Sequence, residues 1–323
     1  MHVRVWDIII VGGGPAGLTA GIYAARAKMN TLLIESTFSP SLITTTDSVE
    51  NYPGFPEGIG GFELVERFKQ QALGCGLKIV QGDVATIRKA DGQGHHAWVV
   101  AAQEDYPAHA LIIATGANYA KLNVPGEKEF TGRGVSYCAT CDAPFYKDKV
   151  VVVVGGGDTA VQEALFLTKF ATHVTLVHRR NVLRATGILK ERAFANERLR
   201  FVWNAVVDKI LGDKTVKAVR LKDVMSEATR EIRTDGIFIF TGIIPNTDLA
   251  ADVVERDAEG YIIVDENMQT SAPGIFSCGD CNRKLLRQVV TACGDGATAA
   301  FAAERYVEEL KGIAYPPREK KKV

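Results

Sequence analysis

DIIIVGGGPAGLTAGIYAARAKMNTLLIE, residues 7–35, reads as strand, tight turn, helix and strand in succession. Ile8 to Val11 is a short apolar run that leads into glycines, the pattern of a parallel strand buried on both faces. Gly12, Gly14 and Gly17 have the G-x-G-x-x-G spacing of a dinucleotide-binding turn. Gly12 permits the tight turn, Gly14 lets backbone approach a pyrophosphate, and Gly17 lets the helix close on the strand; the helix N-terminus attracts the phosphates. Glu35 ends the second strand, where a carboxylate accepts a hydrogen bond from a ribose 2′-hydroxyl.

The unit recurs. VVVVVGGGDTAVQEALFLTKFATHVTLVHRR, residues 150–180, places Gly155, Gly157 and Ala160 143 residues after Gly12, Gly14 and Gly17. The position equivalent to Glu35 is His178, followed by Arg179, Arg180 and then Arg184. A phosphomonoester carries roughly −1.5 to −2 charges at neutral pH. A carboxylate about 4 Å from even one such charge costs about 4 kcal/mol at an effective dielectric near 20. Glu35 therefore predicts a free ribose, as in FAD or NAD. The arginines predict a 2′-phosphate, hence NADPH, because guanidinium forks match phosphate oxygens.

Around these units the chain reads as one domain interrupted by another. Two further apolar runs end alike, at Ala114-Thr115-Gly116 and at Phe240-Thr241-Gly242. Past residue 250 there is no third glycine signature. A short strand, Gly279-Asp280, and an alanine-rich helix follow, and these complete the first domain. The expected fold class is α/β, with two Rossmann-like three-layer dinucleotide-binding domains, the second inserted in the first. Residues 1–119 and 247–323 form one domain and residues 120–246 the other.

The chain has 323 residues, 46% hydrophobic and 24% charged, with 38 basic and 38 acidic side chains. About 150 residues per domain gives two domains. The balanced charge argues against a nucleic-acid partner. No apolar run reaches the ~18 residues of a membrane span, and the N-terminal apolar run leads into glycines rather than a cleavage site. A cytoplasmic protein is expected. In that reducing compartment a close cysteine pair points to catalysis or metal binding.

SYCATCD, residues 136–142, holds such a pair, Cys138 and Cys141. At a turn entering a helix, positions three apart share one face and come within disulfide reach. Cys278-Gly-Asp-Cys281 is a second pair of the same spacing. A four-cysteine zinc site is disfavoured because the pairs stand 137 positions apart, and no metal is expected. Cys75 and Cys293 read as packing.

GGGPAGLTAGIYAAR, TTDSVENYPGFP, ATGA, CATCD, GGGDTA, HRRNVLRA and GIFSCGD followed by RQVVTA together resemble the low-molecular-weight thioredoxin reductases over nearly the whole chain. The resemblance implies FAD on the first domain, NADPH on the inserted one, a homodimer, and thioredoxin or a similar protein as partner. By matching position, it implies FAD contacts from Gly12, Gly14, Pro15, Ala16, Gly17, Glu35, Leu42, Thr46, Asn51, Val84, Ala114, Thr115, Gly116, Gly279, Asp280, Arg287, Gln288 and Val289. It implies NADPH contacts from Gly156, Gly157, Asp158, Thr159, Ala160, Glu163, His178, Arg179, Arg180, Arg184 and Ile243. It makes Cys141 the sulfur beside the flavin, Cys138 the one that attacks the partner, and Asp142 the proton donor to the leaving thiolate, with a helix cap as that residue's plainer role.

The disulfide and the NADPH site share one domain, and both must reach the flavin. Rotation about residues 118–121 and 244–247 is therefore expected between the half-reactions. The alternatives are ferredoxin–NADP⁺ oxidoreductase-like electron transfer, which needs no C-x-x-C, and a flavin redox-sensor module. The chain departs from the family at Pro40-Ser41-Leu42, which stand in place of Gly-Gly-Gln near the expected FAD, at Gln162, which replaces an acid, and at Cys278.

Overall fold

The computed structural model describes residues 5–37, 41–46, 48–90 and 98–313. In chain order, the first part runs β1 (Trp6–Val11), α1 (Pro15–Arg26), β2 (Thr31–Glu35), α2 (Gly61–Gly74), β3 (Lys78–Gln81), β4 (Thr86–Lys89), β5 (Trp98–Ala101) and β6 (Asp105–Ile113). After β7 (Ala117–Tyr119) come α3 (Glu127–Phe130), β8 (Val135–Ser136), α4 (Ala139–Asp142), β9 (Val150–Gly155), α5 (Asp158–Leu167), β10 (His173–Val177) and α6 (Gly187–Ala195). Next are β11 (Leu199–Val202), β12 (Ala205–Gly212), β13 (Val216–Asp223), β14 (Thr229–Arg233) and β15 (Gly236–Phe240). The chain closes with β16 (Ile243–Pro245), β17 (Ile275–Ser277) and α7 (Val289–Leu310).

The chain divides into two compact units: Met1–Thr44 with Val49–Ala117 and Pro245–Val323, and Asn118–Ile244 with the short segment Thr45–Ser48. Both crossings near residues 117 and 245 fall within the two-stranded ribbon of β7 and β16.

The first unit is built on a sheet of order β3-β2-β1-β6-β5-β4, with β17 beside the C-terminal half of β6. Strands β3, β2, β1, β6 and β17 run parallel, and β4 and β5 are antiparallel additions. Successive residues of β1 serve two cores. Ile8 and Ile10 pack with α1 and α7, whereas Ile9 and Val11 pack on the other face with Ile87, Trp98 and Ile262. Side chains alternate across a strand, so a strand covered on both faces becomes continuously apolar. Fully burying each such side chain contributes about 1.5–3 kcal/mol.

Helix α7 is rich in alanine because it lies close against α1. Ala292, Gly296, Ala299, Ala300, Ala303 and Val307 are buried along it, and a Cβ at Gly296 would fall 2.2 Å from the carbonyl oxygen of Ala16.

The inserted unit repeats the plan. Its parallel sheet has the order β11-β10-β9-β15-β8. Val151 and Val153 pack under α5, and Val152 and Val154 face the side carrying the antiparallel β12-β13-β14 sheet.

One expected element differs. The strand lies at Ile275–Ser277, and Gly279-Asp280 forms the turn that follows. Gly279 has φ of +83°, and a Cβ there would come 2.9 Å from that of Ala16. A left-handed conformation of this kind ends a strand and favours glycine.

Candidate active site

The two glycine turns have matching geometry. Gly12 (φ +116°) would place a Cβ 2.2 Å from Ala114 O, and Gly155 (φ +154°) would place one 2.4 Å from Phe240 O. Each turn thus passes under the strand that ends in Thr-Gly. Where the helix meets its strand, a Cβ at Gly17 would fall 1.9 Å from Gly12 O. In the second unit Ala160 keeps its methyl, 2.5 Å from where a Cβ of Gly155 would stand. The middle glycine of each turn lies beneath the side chain ending the next strand. A Cβ at Gly13 would meet Glu35 Oε2 at 2.3 Å, and one at Gly156 would meet the His178 ring at 2.3 Å. Gly14 and Gly157, the residues before α1 and α5, have extended backbone, and at Gly157 the space beyond is open.

In the first unit the structure brings several predicted residues together. Ala114 N donates to Val11 O at 2.8 Å, and Gly116 has φ of +64°. The Thr115 hydroxyl is engaged, donating to Asn246 O at 2.6 Å. Asn51 Nδ2 donates to Gln288 Oε1 at 3.0 Å, and Gln288 also caps α7, whose first residue is Val289. Gly279 N donates to Asp295 Oδ2 at 3.1 Å, and Lys284 Nζ reaches the same oxygen at 2.5 Å.

Beside this turn Asp280 is largely buried, and its Oδ1 has no partner among the described residues. Burial raises its pKa, against the opposing pull of Lys284 and Arg287. The Arg287 guanidinium lies over the Tyr261 ring at 4.0 Å, its Nε also buried with no partner among the described residues. A buried carboxylate oxygen with nothing to accept is the mark of a missing donor. Together with the glycine cradle and Glu35, it fits a dinucleotide bearing hydroxyls.

Not every predicted residue joins that group. Leu42 opens a short 3₁₀ turn, Leu42–Thr45. Val84 packs into the apolar layer on the β5 side of the sheet. Thr46 lies in the segment that groups with the other unit, where Gln162 Nε2 donates to Ser48 O at 2.8 Å. Pro40 falls outside the described residues. Cys278 and Cys281 are buried free thiols, with burial raising both pKa values; Cys281 Sγ lies 3.3 Å from Cys278 O.

In the inserted unit His178 is buried at the end of β10, with its Nε2 unpartnered among the described residues. Burial, and then the nearby Arg184, lower its pKa, with Arg179 and Arg180 adding to the effect. Arg179, Arg180 and Arg184 are exposed. The loop carrying Arg184 is tied to the glycine turn, since Arg184 N donates to Gly156 O at 2.7 Å and Thr186 N to Asp158 Oδ1 at 2.6 Å. Asp158 is therefore occupied in holding that loop. Thr159 is the second residue of α5, Glu163 is buried on that helix, and Ile243 starts β16. Tyr119 is pushed up to about 12 by burial and the Glu163 charge. A group of exposed guanidinium forks beside a glycine turn fits a phosphorylated ribose.

Cys138 and Cys141 are joined in a disulfide, with their Cα atoms 5.4 Å apart. Cys138 caps α4 and its Sγ accepts from Cys141 N at 3.1 Å, while Ser136 Oγ accepts from Cys138 N at 3.0 Å. The pair is thus fixed by its own backbone. Cys141 is exposed and Cys138 half-buried. Asp142 is half-buried beside them and makes no side-chain cap to the following 3₁₀ turn, so the plainer role as a cap is not met.

Residues 6–296 match the family described as pyridine nucleotide-disulphide oxidoreductase. The chain belongs to that family. It is 46% identical to the thioredoxin reductase of Treponema pallidum, over 95% of this chain and 98% of that one. The thioredoxin reductase of Bacillus subtilis is also 46% identical, over 95% and 96%. The solved thioredoxin reductase of Lactococcus lactis superposes with a TM-score of 0.90 at 42% identity, covering 94% of this chain and 99% of its own. These relatives place the family member described here beside the thioredoxin reductases, and its fold is theirs.

Sequence reasoning missed Lys69 and Gln81, which both donate to Glu35 Oε1, and Lys284 and Asp295. Lys284 had a signal, standing four residues after Asp280 in the chain, and Asp295, fifteen residues after it, had none. Lys69 and Gln81 had none.

Proposed function

We propose that this chain is an NADPH-dependent flavoprotein disulfide reductase whose substrate is thioredoxin or a thioredoxin-like protein. The observation that carries the reading is the Cys138–Cys141 disulfide, set on the same unit as the Gly155–Ala160 turn and its arginines. FAD, when bound, relays an electron pair from a nicotinamide to a disulfide. Its holders are Gly12 to Gly17, Glu35, Asn51, Asp280, Arg287 and Gln288. Those of NADPH are Gly157, His178, Arg179, Arg180 and Arg184.

The chain's own sulfurs do the rest. Once the pair is reduced, the Cys141 N–H hydrogen bond favours the thiolate at Cys138 Sγ. That thiolate attacks one sulfur of the thioredoxin disulfide. The bond between the two thioredoxin sulfurs breaks and a mixed disulfide forms. Cys141 Sγ then attacks Cys138 Sγ, re-forming their bond and expelling the remaining thioredoxin sulfur. Asp142 takes the proton that the Cys141 thiol gives up on attack and supplies it to the leaving thiolate. This reading also includes a homodimer and a cytoplasmic location, supported by the family resemblance, by four free cysteines, and by the lack of a described helix long and apolar enough to cross a membrane.

NADPH oxidation driven by oxidised thioredoxin tests the proposal. The unaltered chain turns over, and Cys138→Ser loses roughly a thousandfold or more. Replacing Arg179 and Arg180 by Ala raises KM for NADPH about 10- to 150-fold and leaves NADH unaffected. Full-speed thioredoxin reduction with both sulfurs removed would refute the reading.

A further inference from the structure

Glu35 does not stand alone. Its Oε1 accepts from Lys69 Nζ on α2 and, at 2.5 Å, from Gln81 Nε2 at the end of β3. Both partners come from elements that follow Glu35 by 34 and 46 residues. Gln81 is the in-register neighbour of Glu35 across β2 and β3, and its own Oε1 accepts from Thr37 Oγ1 at 3.4 Å. The Lys69 and Glu35 side chains are only 29% and 14% exposed, so water screens the pair little. Oε2, by contrast, has no donor among the described residues and sits directly over Gly13, where a Cβ would be 2.3 Å away.

A carboxylate offers about four lone-pair sites. Two donors at Oε1 fix the rotamer and leave the lone pairs of Oε2 turned toward the glycine turn. We infer that Lys69 and Gln81 are positioning residues that lock Glu35 so that Oε2 alone meets the adenosine ribose of FAD. The inference rests on the assignment of the first unit to FAD. It also changes how the acid selects. Paired with an ammonium, Glu35 presents little net charge, and its preference for a free ribose comes from a directed hydrogen bond rather than from bulk repulsion of a phosphate.

The test uses enzyme loaded with FAD or with its 2′,3′-dideoxyadenosine analogue, following flavin release by the rise in fluorescence. In the unaltered chain the analogue leaves faster than FAD. Lys69→Met speeds FAD release about 5- to 30-fold and leaves analogue release within about twofold, because the lost contact is one the analogue never makes. Gln81→Leu acts in the same direction. Lys69→Arg keeps a cation at Oε1 and restores FAD release to within about threefold of the unaltered chain.

Equal acceleration for both flavins would overturn the inference, since Lys69 would then only fasten α2 to β2. Unchanged FAD release in Lys69→Met would overturn it too. If the unaltered chain released both flavins at one rate, the ribose assignment of Glu35 would itself be wrong, and the inference would fall with it.

Discussion

Cys138 and Cys141 differ in exposure, and the difference bears on which sulfur meets the partner. Cys141 is the more exposed, yet Cys138 carries the sulfur that accepts the Cys141 N–H. With a thioredoxin that lacks its resolving cysteine and whose remaining cysteine is activated as a mixed disulfide with 5-thio-2-nitrobenzoate, Cys141→Ser is expected to displace that aryl thiolate through Cys138 and trap a protein–protein mixed disulfide, and Cys138→Ser to trap none; non-reducing electrophoresis reads the outcome. His178 gives a pH prediction. Its folded pKa lies below its unfolded value near 6.5 because burial and arginines disfavour the cation. Between the two values the unfolded chain binds more protons, so this residue's contribution is present above about pH 6.5 and lost as pH falls through the folded pKa. Denaturant midpoints at pH 7.5 and 5.5 should fall less in His178→Asn than in the unaltered chain.

Among the elements, α1 and α7 meet at Gly296, where a methyl group would collide with the Ala16 carbonyl rather than with a flexible side chain. Gly296→Ala should cost about 1–3 kcal/mol, read as a lowered Tm, because backbone must shift to admit it. The shift would also move the start of α1 and the glycine turn before it. In the inserted unit, the Asp158–Thr186 hydrogen bond ties the arginine-bearing loop to α5. Removing it with Asp158→Ala should raise KM for NADPH about 3- to 10-fold and leave KM for NADH unchanged. The glycine turns and buried strands were legible in the sequence because they follow from local backbone conformation and side-chain alternation. The turn at Gly279-Asp280 was not, since it depends on the approach of Ala16 from α1. Lys69 and Gln81 were invisible for the same kind of reason: only the folding of α2 and β3 beside β2 brings them to Glu35.

For the whole molecule, the insertion of one unit within the other could be read from a repeated motif and a missing third copy. The grouping of Thr45–Ser48 with the inserted unit could not, because contacts such as Gln162 to Ser48 span 114 residues. Rotation of the units about the β7–β16 crossings belongs to the proposed function and has its own check. A covalent tether between the units should abolish steady-state thioredoxin reduction while leaving one half-reaction, seen in stopped-flow absorbance; survival of both would count against rotation. The shared slot above Gly13 and Gly156 has a practical consequence for anyone rewriting the chain. On the proposed function, one address in each half, 35 or 178, sits where the nucleotide's sugar would lie, so exchanging the occupant of 178 and the arginines behind it offers a compact route to a reductase fed by the cheaper, unphosphorylated coenzyme.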